Sequence, residues 1–205
     1  MPYDYQQTHE NILKSARIQF LEKGFREASV RTICKNAGVT NGAFYAHFES
    51  KEDLFGSIVR PCIEGLKDLY SSEEDRFYKI NSSEDIITAF RKTYASTESL
   101  IRYMCDRRED FRILLEAGAG TEYEGFPNEL IRSETDSMFK FLQLSRQYVK
   151  RPDNITENII RMGASFLIMS VVNGLLRGMS AEEILRETSL VSDYCIAGYR
   201  ELLGI

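Results

Sequence analysis

Between Ser29 and Phe55 the chain carries four helix start and stop signals in quick succession, and this punctuation dictates short helices joined by tight turns. Ser29 can N-cap a short helix whose apolar positions Ile33 and Ala37 lie one turn apart, and Gly38 supplies the left-handed residue that ends it. Thr40 caps a second short helix. Ser50, with Asp53 three residues on, forms a capping box ahead of Leu54 and Phe55 and starts a third. On the middle helix Phe44 and Phe48 fall on one face and should pack inward, which leaves Gly42, Ala43, Tyr45 and Ala46 facing out.

A merely solvated helix face would carry Lys or Glu, whereas this one consists of very small residues around one phenol. Such a face suits close approach to a flat surface. In a DNA major groove, Gly42 and Ala43 would let the backbone come near base edges, Ala43 could touch a thymine methyl, and Tyr45 could donate to a phosphate. Asn41, at the exposed start of the helix, can hydrogen-bond adenine or phosphate. Arg31 and Lys51 each stand in the first turn of an expected helix, where the dipole disfavours cations. A phosphate laid against that helix end would turn the local cost into a gain, so both are read as backbone contacts. The plainer account of either charge is a solvated side chain of small energetic weight.

These residues carry a family resemblance. Ile12, Leu13, Ala16, Phe20, Gly24-Phe25, Ser29-Val30-Arg31, Ile33, Ala37-Gly38-Val39-Thr40, Gly42, Phe44-Tyr45, His47-Phe48 and Ser50-Lys51-Glu52-Asp53-Leu54 together resemble the DNA-binding domain of TetR/AcrR-type transcriptional regulators. The resemblance covers the N-terminal quarter. It implies an all-α fold, with a three-helix helix-turn-helix domain over 1–55 and a helical ligand-binding and dimerisation bundle over 56–205. It further implies contacts to double-stranded DNA from Ser29, Thr40, Asn41, Gly42, Ala43, Tyr45, His47 and Lys51. Asn41 departs from a lysine often found there, and Ala46 from a common aromatic residue or histidine, so the preferred base sequence would be this chain's own.

At 205 residues the chain can bury a real core, and a hydrophobic share of 43% is ordinary for a globular protein. The net charge of −5 argues against indiscriminate nucleic-acid binding, since residues 1–55 hold seven basic and seven acidic side chains. Binding would rest on placed contacts and be salt-sensitive. Cys34, Cys62, Cys105 and Cys195 show no C-x-x-C pair and no histidine cluster, so neither a metal nor another cofactor is expected, and Cys34 reads as a small buried hydrophobe. The polar start of the chain is unlike a signal peptide. The apolar run from Met162 to Leu176, broken by Ser165, Ser170 and Asn173, falls short of a membrane span, so a soluble cytoplasmic protein is expected.

After Phe55 nearly everything reads at helical period. A helix from about Lys51 to Tyr70 contains Pro61, where a kink is expected. Further helices are expected over about 83–105, 111–115, 128–150, 154–177 and 180–203, the last capped by Ser180 with Glu183, and a glycine-bearing loop fills 116–127. Small residues on the final two helices, Gly163, Ser170 and Gly174 with Ser192, Cys195 and Gly198, would allow close approach and nominate a subunit interface, or simply intrachain packing. By the resemblance, a homodimer joined through these two helices becomes the expectation, with two reading helices roughly 34 to 36 Å apart on a palindromic operator.

Tyr94, Thr97, Met104, Phe111, Met138, Phe141, Met162, Phe166, Met169 and Asn173 mix soft, aromatic and sparse polar groups in a way that suits an apolar small-molecule inducer, though such stripes also serve as plain core. The regulator expected is a repressor released when an occupied body shifts the kinked helix, for which a coupling of about 1 to 3 kcal/mol suffices. Catalysis is not expected: the two histidines, His9 and His47, lie apart in sequence, with no nucleophile motif, paired carboxylates or phosphate loop. The rival reading is a helical adaptor that binds protein partners and has lost specific DNA recognition.

Overall fold

The computed structural model describes residues 4–74 and 81–205, with side chains given outside 71–74 and 93–96. Among the described residues the regular structure is helical throughout. Helix α1 (Tyr5–Glu27) is capped by Asp4, whose carboxylate accepts from the Gln7 amide at 3.1 Å. Ile12, Ala16 and Phe20, spaced by one turn, form its fully buried stripe. Gly24 interrupts it with φ 72°, a left-handed backbone that glycine adopts without the clash of a Cβ.

Helices α2 (Val30–Ala37) and α3 (Asn41–Tyr45) follow, and then α4 (Lys51–Glu74). Gly38 ends α2 at φ 71°, and Thr40 caps α3 by accepting from the Ala43 amide at 3.1 Å, as the punctuation predicts. Ser29 occupies the cap position of α2 but makes no capping hydrogen bond, so its hydroxyl is not spent on the helix. At α4, Ser50 accepts from the Asp53 amide at 3.0 Å. The return bond from the Asp53 carboxylate reaches the Glu49 amide at 3.1 Å instead of that of Ser50, one residue earlier than a capping box requires. Pro61 lies inside α4, which continues through it.

The remainder comprises α5 (Ser83–Asp106), α6 (Arg108–Ala117), α7 (Phe126–Ser145), α8 (Glu157–Leu176) and α9 (Ala181–Leu203). Only Arg107 separates α5 from α6, and α7 gives way to a 3-10 turn at Arg146–Tyr148. Ser180 and Glu183 form a complete capping box on α9.

Packing divides the chain into two compact units, Met1–Gly65 with Arg107–Phe126, and Leu66–Asp106 with Pro127–Ile205. The first unit is therefore discontinuous in sequence. Its core joins Phe20, Phe25 and Phe55, whose rings meet at 5.1 to 6.1 Å, to Phe111, Ile113 and Leu114 of α6. Ser15 donates to the Ile33 carbonyl at 2.9 Å and ties α1 to α2, Arg17 pairs with Asp110 to tie α1 to α6, and Tyr123 packs 6.0 Å from Phe55. In the second unit, Phe90, Met138, Phe141, Ile160, Ile196 and Tyr199 belong to one buried cluster drawn from α5, α7, α8 and α9.

The glycines of α8 belong to intrachain packing. A Cβ on Gly163 would collide with the Tyr199 hydroxyl, and one on Gly174 would lie 2.7 Å from the Ile184 side chain. Ser192 and Cys195 are likewise buried. Gly163, Gly174, Ser192 and Cys195 thus serve the intrachain approach of α8 and α9, whereas Gly198 is exposed with nothing within 4 Å of the place of its Cβ. Helix α8 holds an 18-residue window of mean hydropathy 1.7, enough by length and composition alone to cross a membrane, and buries Ile160, Ala164, Leu167, Val172 and Leu175 within the chain's own packing.

Candidate nucleic-acid interface

The local sequence 40–48 builds a one-and-a-half-turn helix that buries one side and presents the other. Phe44 and Phe48 are buried, their rings 5.7 Å apart, and anchor α3 to the first unit's core. Asn41, Gly42 and Ala46 are exposed, Ala43 is half-buried, and Tyr45 is 61% exposed with its ring set edge-on to Phe44 at 5.1 Å. The face expected to be outward is outward. A rigid phenol on an aromatic anchor, between residues without bulk, presents a backbone that can come close to a partner surface with little side-chain ordering. Arg31, on the first turn of α2, is also exposed.

Lys51 is placed differently from the expectation. Its ammonium donates to the carbonyls of Phe25 at 2.8 Å, Ala28 at 3.0 Å and Arg26 at 3.3 Å, and lies 4.4 Å from the centre of the Phe25 ring. All three donors are used, and they close the carbonyl end of α1 after Gly24. The cation at the start of α4 is compensated by carbonyls at the negative end of α1. The sequence signal was the Gly24-Phe25 pair: a chain that turns out of α1 there leaves carbonyls in need of donors.

His47 sits in a ring cluster that sequence reading missed. Its imidazole lies 4.0 Å from the Tyr5 ring and 5.4 Å from that of His9, and His9 stacks on Phe48 at 4.8 Å. Tyr5 and His9, four apart at the start of α1, carried the helical signal for this contact. Partial burial, and secondarily the neighbouring His9, hold His47 below the ordinary imidazole range, so it is neutral at pH 7.

The residues nominated for a ligand fall in both units. Phe111 is core of the first unit, and Met104, Met138 and Phe141 are buried in the second. Thr97 is half-buried on α5, and the side chain of Tyr94 lies outside the described residues. Met162 and Phe166, each 55% exposed, share an open face of α8 with Met169 and Asn173. Leu190 and Tyr194 on α9 are also exposed, and the Tyr194 ring lies 6.4 Å from that of Phe166. Among the described residues no group of three or more His, Cys, Asp or Glu could hold a metal ion. Burial raises the Cys62 thiol to about 11 and keeps it protonated.

Known proteins share this arrangement. Residues 12–58 match the family described as bacterial regulatory proteins, tetR family. The HTH-type transcriptional regulator UidR of Escherichia coli K12 is 22% identical over the whole chain and 95% of its own length. The HTH-type transcriptional repressor BepR of Brucella suis is 47% identical over 53 residues, 26% of this chain and 25% of that one. Among solved structures, NalD, the secondary repressor of the MexAB-OprM multidrug efflux pump in Pseudomonas aeruginosa, superposes with a TM-score of 0.59 at 23% identity, covering 91% of this chain and 95% of its own. A gamma-butyrolactone receptor superposes at 0.56 and 21% identity, over 95% and 98%. The exposed face of α3 and the matched residues that build it lead to one conclusion: residues 12–58 form a helix-turn-helix domain of the kind found in the tetR family of bacterial regulatory proteins, in a chain similar over its whole length to an HTH-type transcriptional regulator.

Proposed function

We propose that the protein is a homodimeric repressor that holds a palindromic operator through α3 and is released when a small molecule occupies its second unit. The observation that carries the reading is the open face Asn41, Gly42, Ala43 and Tyr45, rigidly backed by buried Phe44 and Phe48. Ser29, Arg31 and Thr40 supply the flanking backbone contacts, and His47 supports the turn that follows α3. Lys51 acts by bracing α1 against α4, so that the reading helix is held in place. A cytoplasmic location is part of this reading, and the regulators it resembles argue against an enzymatic role.

The dimer is assigned to the last two helices through their large residues. Met162, Phe166 and Met169 on α8, with Leu190 and Tyr194 on α9, form an apolar surface of a kind that monomers seldom leave open. Asn173 at its end supplies a polar group able to fix register between two copies.

Selection of bound fragments from random duplex DNA at stated salt tests the operator. A symmetric consensus is expected, and no enrichment would leave the adaptor reading in its place. Tyr45→Ala should cost about 1 to 3 kcal/mol of duplex affinity, and Arg31→Ala should flatten the salt dependence by about one phosphate. Fluorescence anisotropy across a salt series reads both.

A further inference from the structure

Helix α3 (Asn41–Tyr45) has five residues, too few to persist without support from its surroundings, so its direction is set by what holds it. Buried Phe44 and Phe48 anchor one side. The turn that follows is built on the helix's own last carbonyls: that of Phe44 accepts from the His47 amide at 2.9 Å and from the Phe48 amide at 3.0 Å, and that of Ala43 accepts from the Ala46 amide at 3.2 Å. Such bonds tie the turn to α3. They do not tie it to a neighbouring helix.

Aromatic rings from α1 make that second connection. Tyr5 and His9 stand four residues apart at the start of α1 and share a face. The Tyr5 ring lies 4.0 Å from the His47 imidazole, inclined by 35°, while His9 lies 5.4 Å from His47 and stacks on Phe48 at 4.8 Å. Phe48 is 5.7 Å from Phe44, and Phe44 is 5.1 Å from Tyr45. Six rings therefore follow one another from one exposed phenol, Tyr5 at 53%, to another, Tyr45 at 61%. The core does not explain the outer end of this row. The buried residues of α1 begin at Ile12, about two turns past Tyr5, and Tyr5 keeps half its surface in water. Yet the shortest separation in the row is the one between Tyr5 and His47, and an aromatic pair in such contact contributes beyond the area it buries.

We propose that Tyr5 is a positioning residue of the nucleic-acid interface, its ring bracing His47 and through it the turn that closes the reading helix. The first turn of α1 thereby takes part in DNA recognition without touching a base. This role rests on the reading of α3 as the DNA-binding helix, and it adds a residue that lies outside the matched segment 12–58.

The test uses the full-length protein and the duplex recovered by selection, with affinity read by fluorescence anisotropy and the folded fraction by denaturant unfolding. Tyr5→Ala should weaken duplex binding about two- to tenfold at an unchanged folded fraction, and Tyr5→Phe, which keeps the ring, should restore most of the loss. In a His47→Ala background Tyr5→Ala should cost little more, because the group it acts through is gone. The two histidines give two sets of imidazole proton signals, and the set belonging to His47 should shift in Tyr5→Ala and hold its place in Tyr5→Phe. The comparison of Tyr5→Ala with Tyr5→Phe decides the matter even if His47→Ala folds poorly. Unchanged affinity in Tyr5→Ala, a loss that merely follows the folded fraction, an equal loss in Tyr5→Phe, or a full further loss in the His47→Ala background would each overturn the brace. Wild-type protein that selects no duplex would sink the DNA-binding reading itself and the brace with it, an outcome distinct from all of these.

Discussion

Lys51 shows how one side chain at the start of a helix can be held by the unit's own backbone. Three carbonyls and a ring surround its ammonium, so removing it strands acceptors at the end of α1. Lys51→Met should destabilise the protein by about 1 to 3 kcal/mol, measured by denaturant unfolding, with duplex affinity falling only as the folded population falls. A variant that kept its stability and lost DNA binding would restore the phosphate contact. His47 makes a second prediction at this scale. Its folded pKa lies below 6.5, so the unfolded chain binds the proton more readily; stability is fully present above 6.5 and is lost as pH falls through the lowered value. Its ring neighbours His9, Tyr5 and Phe48 bring no negative charge. Unfolding midpoints between pH 8 and 5 should decline on the acid side, and His47→Gln should flatten that decline.

Helix α8 carries two faces with different duties, and the sequence showed both without telling them apart. Helical period groups Met162, Phe166, Met169 and Asn173 on one side, and Gly163 and Gly174 on another, but it does not say which side meets the chain's own α9. The glycines do, because a phenol and an isoleucine fill the space that a Cβ would need. Gly163→Ala should therefore cost about 1 to 3 kcal/mol by overpacking, with partial recovery when Tyr199→Phe removes the colliding hydroxyl, as thermal unfolding of the four combinations would show. Around α3 the reading went further, since caps, left-handed stops and a two-residue aromatic anchor act over four or five residues and need no distant partner.

For the whole molecule, the exposed apolar surface of α8 and α9 predicts self-association. Replacing Phe166 and Tyr194 together by glutamate should give a monomer in sedimentation equilibrium that binds an isolated half-site but loses the tighter grip on the full palindrome. A dimer that survived the pair would move the interface elsewhere. The division of the chain into units carries another consequence. A fragment that stops in the middle of α4 lacks Phe111, Ile113 and Leu114, as well as Asp110, the counter-ion of Arg17. During synthesis the N-terminal segment must therefore wait, with α1 still lacking its cover, until residues up to Phe126 have left the ribosome. A finished helix-turn-helix unit is thereby withheld from the nascent polypeptide until well over half of it has been translated.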